Sequence, residues 1–142
     1  MPRHWRKPAK ALPKVEYPLA QVFSHRDSCW ARDATAEFKM VIRRHMLKID
    51  ALRNVGRRSS YAGATLYSTL APCALCAGAA IQCGIQRVVV GESENFAGEL
   101  QLLKDRGIEV VLIDDPEATA LMKNFITQNS QLWHEDIGIE SP

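Results

Sequence analysis

An α/β domain with parallel strand pairing is what this sequence predicts, and three observations predict it. From Ala64 onward, short apolar runs alternate with helical patterns in the order strand–helix–strand–helix–strand–helix, as parallel strands joined by crossover helices require. The junctions carry their own stop and start residues, with Pro72, Gly84, Gly107 and Asp115-Pro116 at the places where the pattern changes. The length of 142 residues, 46% of them hydrophobic and 24% charged, suits one domain with a real core and not two.

The elements follow in chain order. Three prolines fall among the first thirteen residues, and from Val15 to Asp33 neither a period of two nor one of 3.6 persists. Ala36 to Leu52 admits a helix with Met40, Ile42, Met46, Leu47 and Ile49 as apolar members, though no single stripe holds them all. Thr65 to Leu70 reads as a strand. Pro72 opens a helix at a position where proline is tolerated, and the small-residue run Ala74 to Ala80 carries it to Gly84. Arg87 to Gly91 is a short strand of the buried type, Glu99 to Arg106 a helix stopped by Gly107, and Ile108 to Ile113 another strand. Asp115-Pro116 starts a helix with Leu121, Met122, Phe125 and Ile126 on its apolar side, and Gln131 to Ile137 is a short final helix. No internal repeat or low-complexity tract interrupts this order.

Charge divides the chain. Residues 1–60 hold 14 Lys and Arg against 5 Asp and Glu, whereas residues 61–142 hold 4 against 11. A basic half beside an acidic half raises the idea of a nucleic-acid-binding arm. The basic residues are scattered among prolines rather than set on one face, so nucleic acid is not the expected partner. No apolar run reaches membrane-spanning length, and the charged Met1-Pro-Arg-His-Trp-Arg-Lys7 has no apolar stretch behind it, so neither a membrane span nor a secretory leader is expected. The expected location is the cytoplasm. There the four cysteines, Cys29, Cys73, Cys76 and Cys83, read as thiols or metal ligands and not as a disulfide framework.

Chemistry concentrates in Pro72-Cys73-Ala-Leu-Cys76. Both thiols fall in the first turn of the expected helix, where the helix dipole favours thiolate, and two thiolates one turn apart can share a zinc ion. A bare C-x-x-C also serves in redox motifs, and two small core cysteines on an alanine-rich helix would look the same. Cys29 and Cys83 have no partner at ligand spacing.

The stretch Thr65-Leu-Tyr-Ser-Thr-Leu-Ala-Pro-Cys-Ala-Leu-Cys-Ala-Gly-Ala-Ala-Ile81 resembles the second half of the zinc-binding signature of the cytidine deaminase superfamily. Val90-Gly-Glu-Ser-Glu-Asn-Phe96, Arg106-Gly-Ile-Glu-Val-Val111 and Leu132-Trp-His-Glu-Asp-Ile-Gly138 narrow the resemblance to fungal-type cytosine deaminases. It runs without a gap from about Ile49 to Gly138. The resemblance implies a three-layer α/β/α fold around a mixed five-stranded sheet, a homodimer, and a zinc ion held by one His and two Cys. A Glu two residues after that His would move protons while activated water attacks C4 of the pyrimidine and ammonia leaves. It implies Cys73 and Cys76 as the thiolate ligands, and Phe96, Trp133 and Asp136 as residues that close over a small pyrimidine base. A tRNA adenosine deaminase is the main rival within the superfamily, but its C-terminal helix is usually basic, whereas Trp133-His-Glu-Asp136 is acidic.

The first half of the signature is missing. Aligned without a gap, Met46 stands at the His-ligand position and Lys48 at the Glu position, with His45 one residue early. On a helix that one residue turns the side chain by about 100° from the metal-facing direction. A protonated lysine cannot take a proton from a bound water. Read as a translation in another codon phase, however, residues 1–48 regain the missing half. Met46-Leu47-Lys48 then permits H-A-E, Trp30-Ala31 forces L-G, Lys39 forces Q if no stop is allowed, and Val41 after Met40 forces G. Lys14 to Ala20 permits E-G-G-V-P-I-G, and Trp5 to Ala11 permits L-E-E-A-R-K-G.

The expected organisation is therefore an atypical basic segment over 1–48, read out of frame, and a deaminase domain over 49–142. As written, the N-terminal part is expected to be irregular or helical and the sheet incomplete. The expected function is zinc-dependent hydrolytic deamination of cytosine or a related base by descent, with this exact chain inactive and its zinc weakly held. A catalytically silent protein of the same fold is the alternative.

Overall fold

The computed structural model describes residues 21–25, 28–33 and 47–139. They form a five-stranded sheet with the order β2-β1-β3-β4-β5. Its strands are β1 (Gln21–His25), β2 (Ser28–Asp33), β3 (Ala64–Leu70), β4 (Arg87–Glu92) and β5 (Glu109–Leu112). β3, β4 and β5 run parallel, with Leu66 opposite Val88 and Val88 opposite Val110. β1 runs antiparallel to both β3 and β2. The described helices are α1 (Leu47–Val55), α2 (Ala74–Cys83), α3 (Leu100–Asp105), α4 (Pro116–Gln128) and α5 (Ser130–Ile137).

The sequence explains the central part. Val88, Val89 and Val90 are all buried; because neighbouring strand residues point to opposite faces, three buried in a row mean that both faces of β4 are covered. One apolar cluster joins Leu66, Val88 and Val90 of the sheet to Ala51 of α1, Ala77 and Ala80 of α2 and Leu103 of α3. A second joins Leu70 to Met122 and Phe125 of α4 and Trp133 of α5. α2 stops at Gly84, whose left-handed backbone (φ 70°) lets its N–H reach back to the carbonyls of Ala80 and Ile81. α4 starts at Asp115, whose carboxylate accepts the Glu117 N–H at 3.0 Å, followed by Pro116 in the first turn.

The expectation of an irregular N-terminal part and an incomplete sheet is corrected at residues 21–25 and 28–33, which complete five strands. Gln21 to His25 pairs with Thr65–Ser68 of β3 on one side, His25 reaching Ala64, and with β2 on the other. Main-chain pairing against an existing strand needs no side-chain alternation, so tertiary context overrides a weak local pattern. The β1–β2 register shifts between Phe23 and Ser24, and a shift of this kind breaks any period of two. The expected helix over Ala36 to Leu52 is realised as Leu47–Val55, three residues further at its C-terminal end; residues 36–46 lie outside the described residues.

Candidate active site

Parallel pairing of β3 with β4 puts their carboxyl ends at the same edge of the sheet, where ligands collect in open α/β folds. Residues 71–73 leave β3 there, and residues 93–96 leave β4. The two exits are tied together. The Ala71 N–H donates to the Glu92 carbonyl at 3.0 Å, and the Glu99 N–H donates to the Pro72 carbonyl at 2.9 Å.

Cys73 caps α2 with an extended backbone (φ −70°, ψ 172°), and its carbonyl accepts the Ala77 N–H at 2.8 Å. Cys76 lies one turn on. Cys73 is half-buried and Cys76 is buried, both as thiols. No acidic side chain occupies the first turn of α2. Cys83, at the far end of the same helix, is half-buried, and burial pushes its thiol pKa up.

Opposite the thiol pair, the loop after β4 is organised by Glu92. This carboxylate is 1% exposed. Its Oε2 accepts the N–H of Glu94 at 2.8 Å and of Asn95 at 3.0 Å, and its Oε1 accepts Asn95 Nδ2 at 3.2 Å. Asn95 Nδ2 also donates to the Thr119 carbonyl of α4 at 3.0 Å. The next residue, Phe96, meets Trp133 edge to face, with ring centroids 6.0 Å apart and planes at 90°; offset and edge-to-face contacts are the favoured aromatic geometries. Asp136 follows Trp133 by three residues on α5, so the two share a helix face, and its Oδ1 is shielded from solvent.

Of the residues singled out from sequence, Cys73 and Cys76 fall at one helix start, and Phe96 and Trp133 come into contact although 37 positions separate them. Leu70, three residues before Cys73, belongs to the same apolar cluster as Trp133, with Phe96 packed against it. Met46 and His45 lie outside the described residues, as do the side chains of Lys48 and Cys29. Glu92 and Asn95 were not singled out as site residues. The available signal was a carboxylate directly after the buried-type run Arg87-Val-Val-Val-Gly91, a costly place for a charge unless hydrogen bonds meet it.

A catalytic zinc needs three protein ligands and an open position. Two soft thiols at one helix start suit two of those places, but no group of three His, Cys, Asp or Glu that could hold a metal ion occurs among the described residues.

Comparison with known proteins agrees with this geometry. The sequence profile of the MafB19-like deaminases matches residues 2–130. A cytosine deaminase of Candida albicans is 45% identical over 93 residues, which cover 64% of this chain and 62% of that enzyme. Among solved structures, a diaminohydroxyphosphoribosylaminopyrimidine deaminase/5-amino-6-(5-phosphoribosylamino)uracil reductase of Thermotoga maritima superposes with a TM-score of 0.60 at 25% identity, covering 81% of this chain and 35% of that one. The dCMP deaminase of cyanophage S-TIM5 superposes with a TM-score of 0.50 at 20% identity, covering 66% and 79%, a likeness of fold. The chain therefore spans less than two thirds of the length of the fungal and Thermotoga relatives.

Proposed function

This chain belongs to the MafB19-like deaminase family, and on that premise we propose that it derives from a zinc-dependent cytosine deaminase and, as written, does not deaminate. The reaction of the parent enzyme is hydrolysis of the exocyclic C4–N bond, cytosine and water giving uracil and ammonia. The 45% identity to a fungal cytosine deaminase supports the substrate class. Phe96 and Trp133, in edge-to-face contact, and Asp136, one turn beyond Trp133 on α5, are the residues that this reading sets against a free pyrimidine base. In this reading Cys73 and Cys76 are the thiolate ligands, and Phe96, Trp133 and Asp136 face the base.

One observation carries the loss of activity. Met46-Leu47-Lys48 stands immediately before Ile49, at the place of the family's His-x-Glu. Thioether sulfur is a poor replacement for a zinc-bound imidazole, and a protonated lysine cannot act as the proton acceptor. We attribute residues 1–48 to an out-of-frame reading of the gene, with the frame recovered at Lys48 or Ile49; the family profile, which matches from residue 2, is the observation that weighs against this attribution. The restored protein would be a cytoplasmic homodimer acting in pyrimidine salvage.

Metal analysis and ammonia release from cytosine, both on the purified 142-residue chain, test the reading. Zinc well below one equivalent and no ammonia above the uncatalysed rate are expected; stoichiometric zinc with turnover would overturn it. Sequencing the DNA upstream of the Ile49 codon tests the frame. An intact single frame encoding Met46-Leu47-Lys48, undisturbed in related genes, would favour the silent deaminase-fold protein instead.

A further inference from the structure

The buried carboxylate at the end of β4, Glu92, has no part in the chemistry proposed above, yet its hydrogen bonds reach both the segment that carries Phe96 and the helix that leads to Trp133. Through its main chain, Glu92 accepts from Ala71, two residues before Cys73. Through Oε2 it gathers the N–H groups of Glu94 and Asn95. Two main-chain N–H groups pointing at one oxygen fix the direction in which the chain leaves the strand, and thereby where Phe96 emerges. Through Oε1 it holds Asn95 Nδ2, whose other hydrogen is given to the Thr119 carbonyl of α4. An NH2 group has two hydrogens in one plane, so both acceptors are met at once and the loop is pinned to α4. That helix leads directly into α5, which carries Trp133.

We propose that Glu92 and Asn95 are positioning residues that set the Phe96–Trp133 edge-to-face contact by pinning the 93–96 loop to α4. The loop lacks regular secondary structure, and apolar packing alone leaves an aromatic ring free to slide across its neighbours. The Asn95 bridge adds direction. It joins the strand that presents Phe96 to the helix pair that presents Trp133, so the two rings are referenced to one another and not separately to the core. Asn95 suits the bridge because its two N–H vectors reach acceptors from two elements; aspartate in its place would set a carboxylate against both a carboxylate and a carbonyl. The importance of the contact for a base rests on the proposed deaminase reading, but the geometric claim does not.

The test reads the geometry without turnover. In the full 142-residue chain labelled with 15N, the Trp133 indole Nε1–H resonance is identified by its loss in Trp133→Phe. Phe96→Leu, which removes the ring current, sets the size and sign of the expected shift. Asn95→Asp is expected to move the resonance in the same direction by at least half as much. Glu92→Gln is expected to move it less, because an amide oxygen can still accept the two main-chain N–H groups. If either variant fails to fold cooperatively, Asn95→Ala replaces it. An unmoved Trp133 resonance in a folded Asn95 variant would overturn the proposal. A separate titration with cytosine distinguishes the two readings: Phe96→Leu binding the base as tightly as the parent chain would count against the deaminase pocket and leave the clamp standing.

Discussion

Single residues decide more here than their composition suggests. Gly98 has a left-handed backbone (φ +60°), and a Cβ built on it would lie 2.6 Å from the Pro72 carbonyl oxygen and 2.8 Å from the Ala71 Cβ. Gly98→Ala is therefore expected to destabilise the fold by about 1–3 kcal/mol, measured by urea denaturation, and to change the rate at which Cys73 is alkylated, since Pro72 must give way. Cys83 offers a contrast. Burial raises its pKa, so at a given mildly alkaline pH less of it is thiolate than in the unfolded chain. Iodoacetamide is expected to modify it more slowly in the native protein than in urea, with the gap closing as pH rises; peptide mapping by mass follows both rates. The same contrast explains what could be read from sequence. Cys73 and Cys76 were legible because their relation is a spacing of three within one helix. The Glu92–Asn95 bridge was not, because its partners are main-chain groups and a carbonyl 24 positions from Asn95, which no local pattern records.

Among the elements, those with both ends punctuated match the sequence best. α2 begins and ends within a residue or two of its cap signals, α4 begins at its own, and β3 and β4 lie within about one residue of the apolar runs that predict them. Asp115 is the clearest of these signals. Its carboxylate accepts from the Glu117 N–H at 3.0 Å, and Asp115→Ala is expected to lower stability by about 1 kcal/mol, seen as a lower urea midpoint with an unchanged slope. The β1–β2 pair is what sequence reading failed to place. β1 pairs through its main chain with β3 on one side and, with a register shift, with β2 on the other, so the ordering information resides in the neighbouring strand and not in the side-chain pattern of residues 21–25 and 28–33.

At the scale of the molecule, the split between basic and acidic halves does not coincide with a structural boundary. Residues 21–25 and 28–33 share one sheet with β3, β4 and β5, and the family profile spans 2–130. What separates the halves is the sequence itself, since Cys73 and Cys76 lie in one and Met46, at the proposed His position, in the other. Met46→His combined with Lys48→Glu is expected to raise zinc retained after dialysis toward one equivalent, measured by atomic emission, because it restores the nitrogen donor that the proposed ligand set of two thiolates lacks. The parallel run of β3, β4 and β5 has one more consequence. Cys73 and Phe96 follow the carboxyl ends of β3 and β4, while the turns at Gly84 and Arg106–Gly107 lie at the amino ends and are exposed. The molecule thus has a working rim and an idle rim. A short peptide tag or a fluorophore spliced in at Gly107 should leave the urea midpoint and the Phe96–Trp133 contact close to those of the parent, whereas the same insertion after Asn95 should abolish the contact. The idle rim is where this scaffold can be cut, labelled or joined to another.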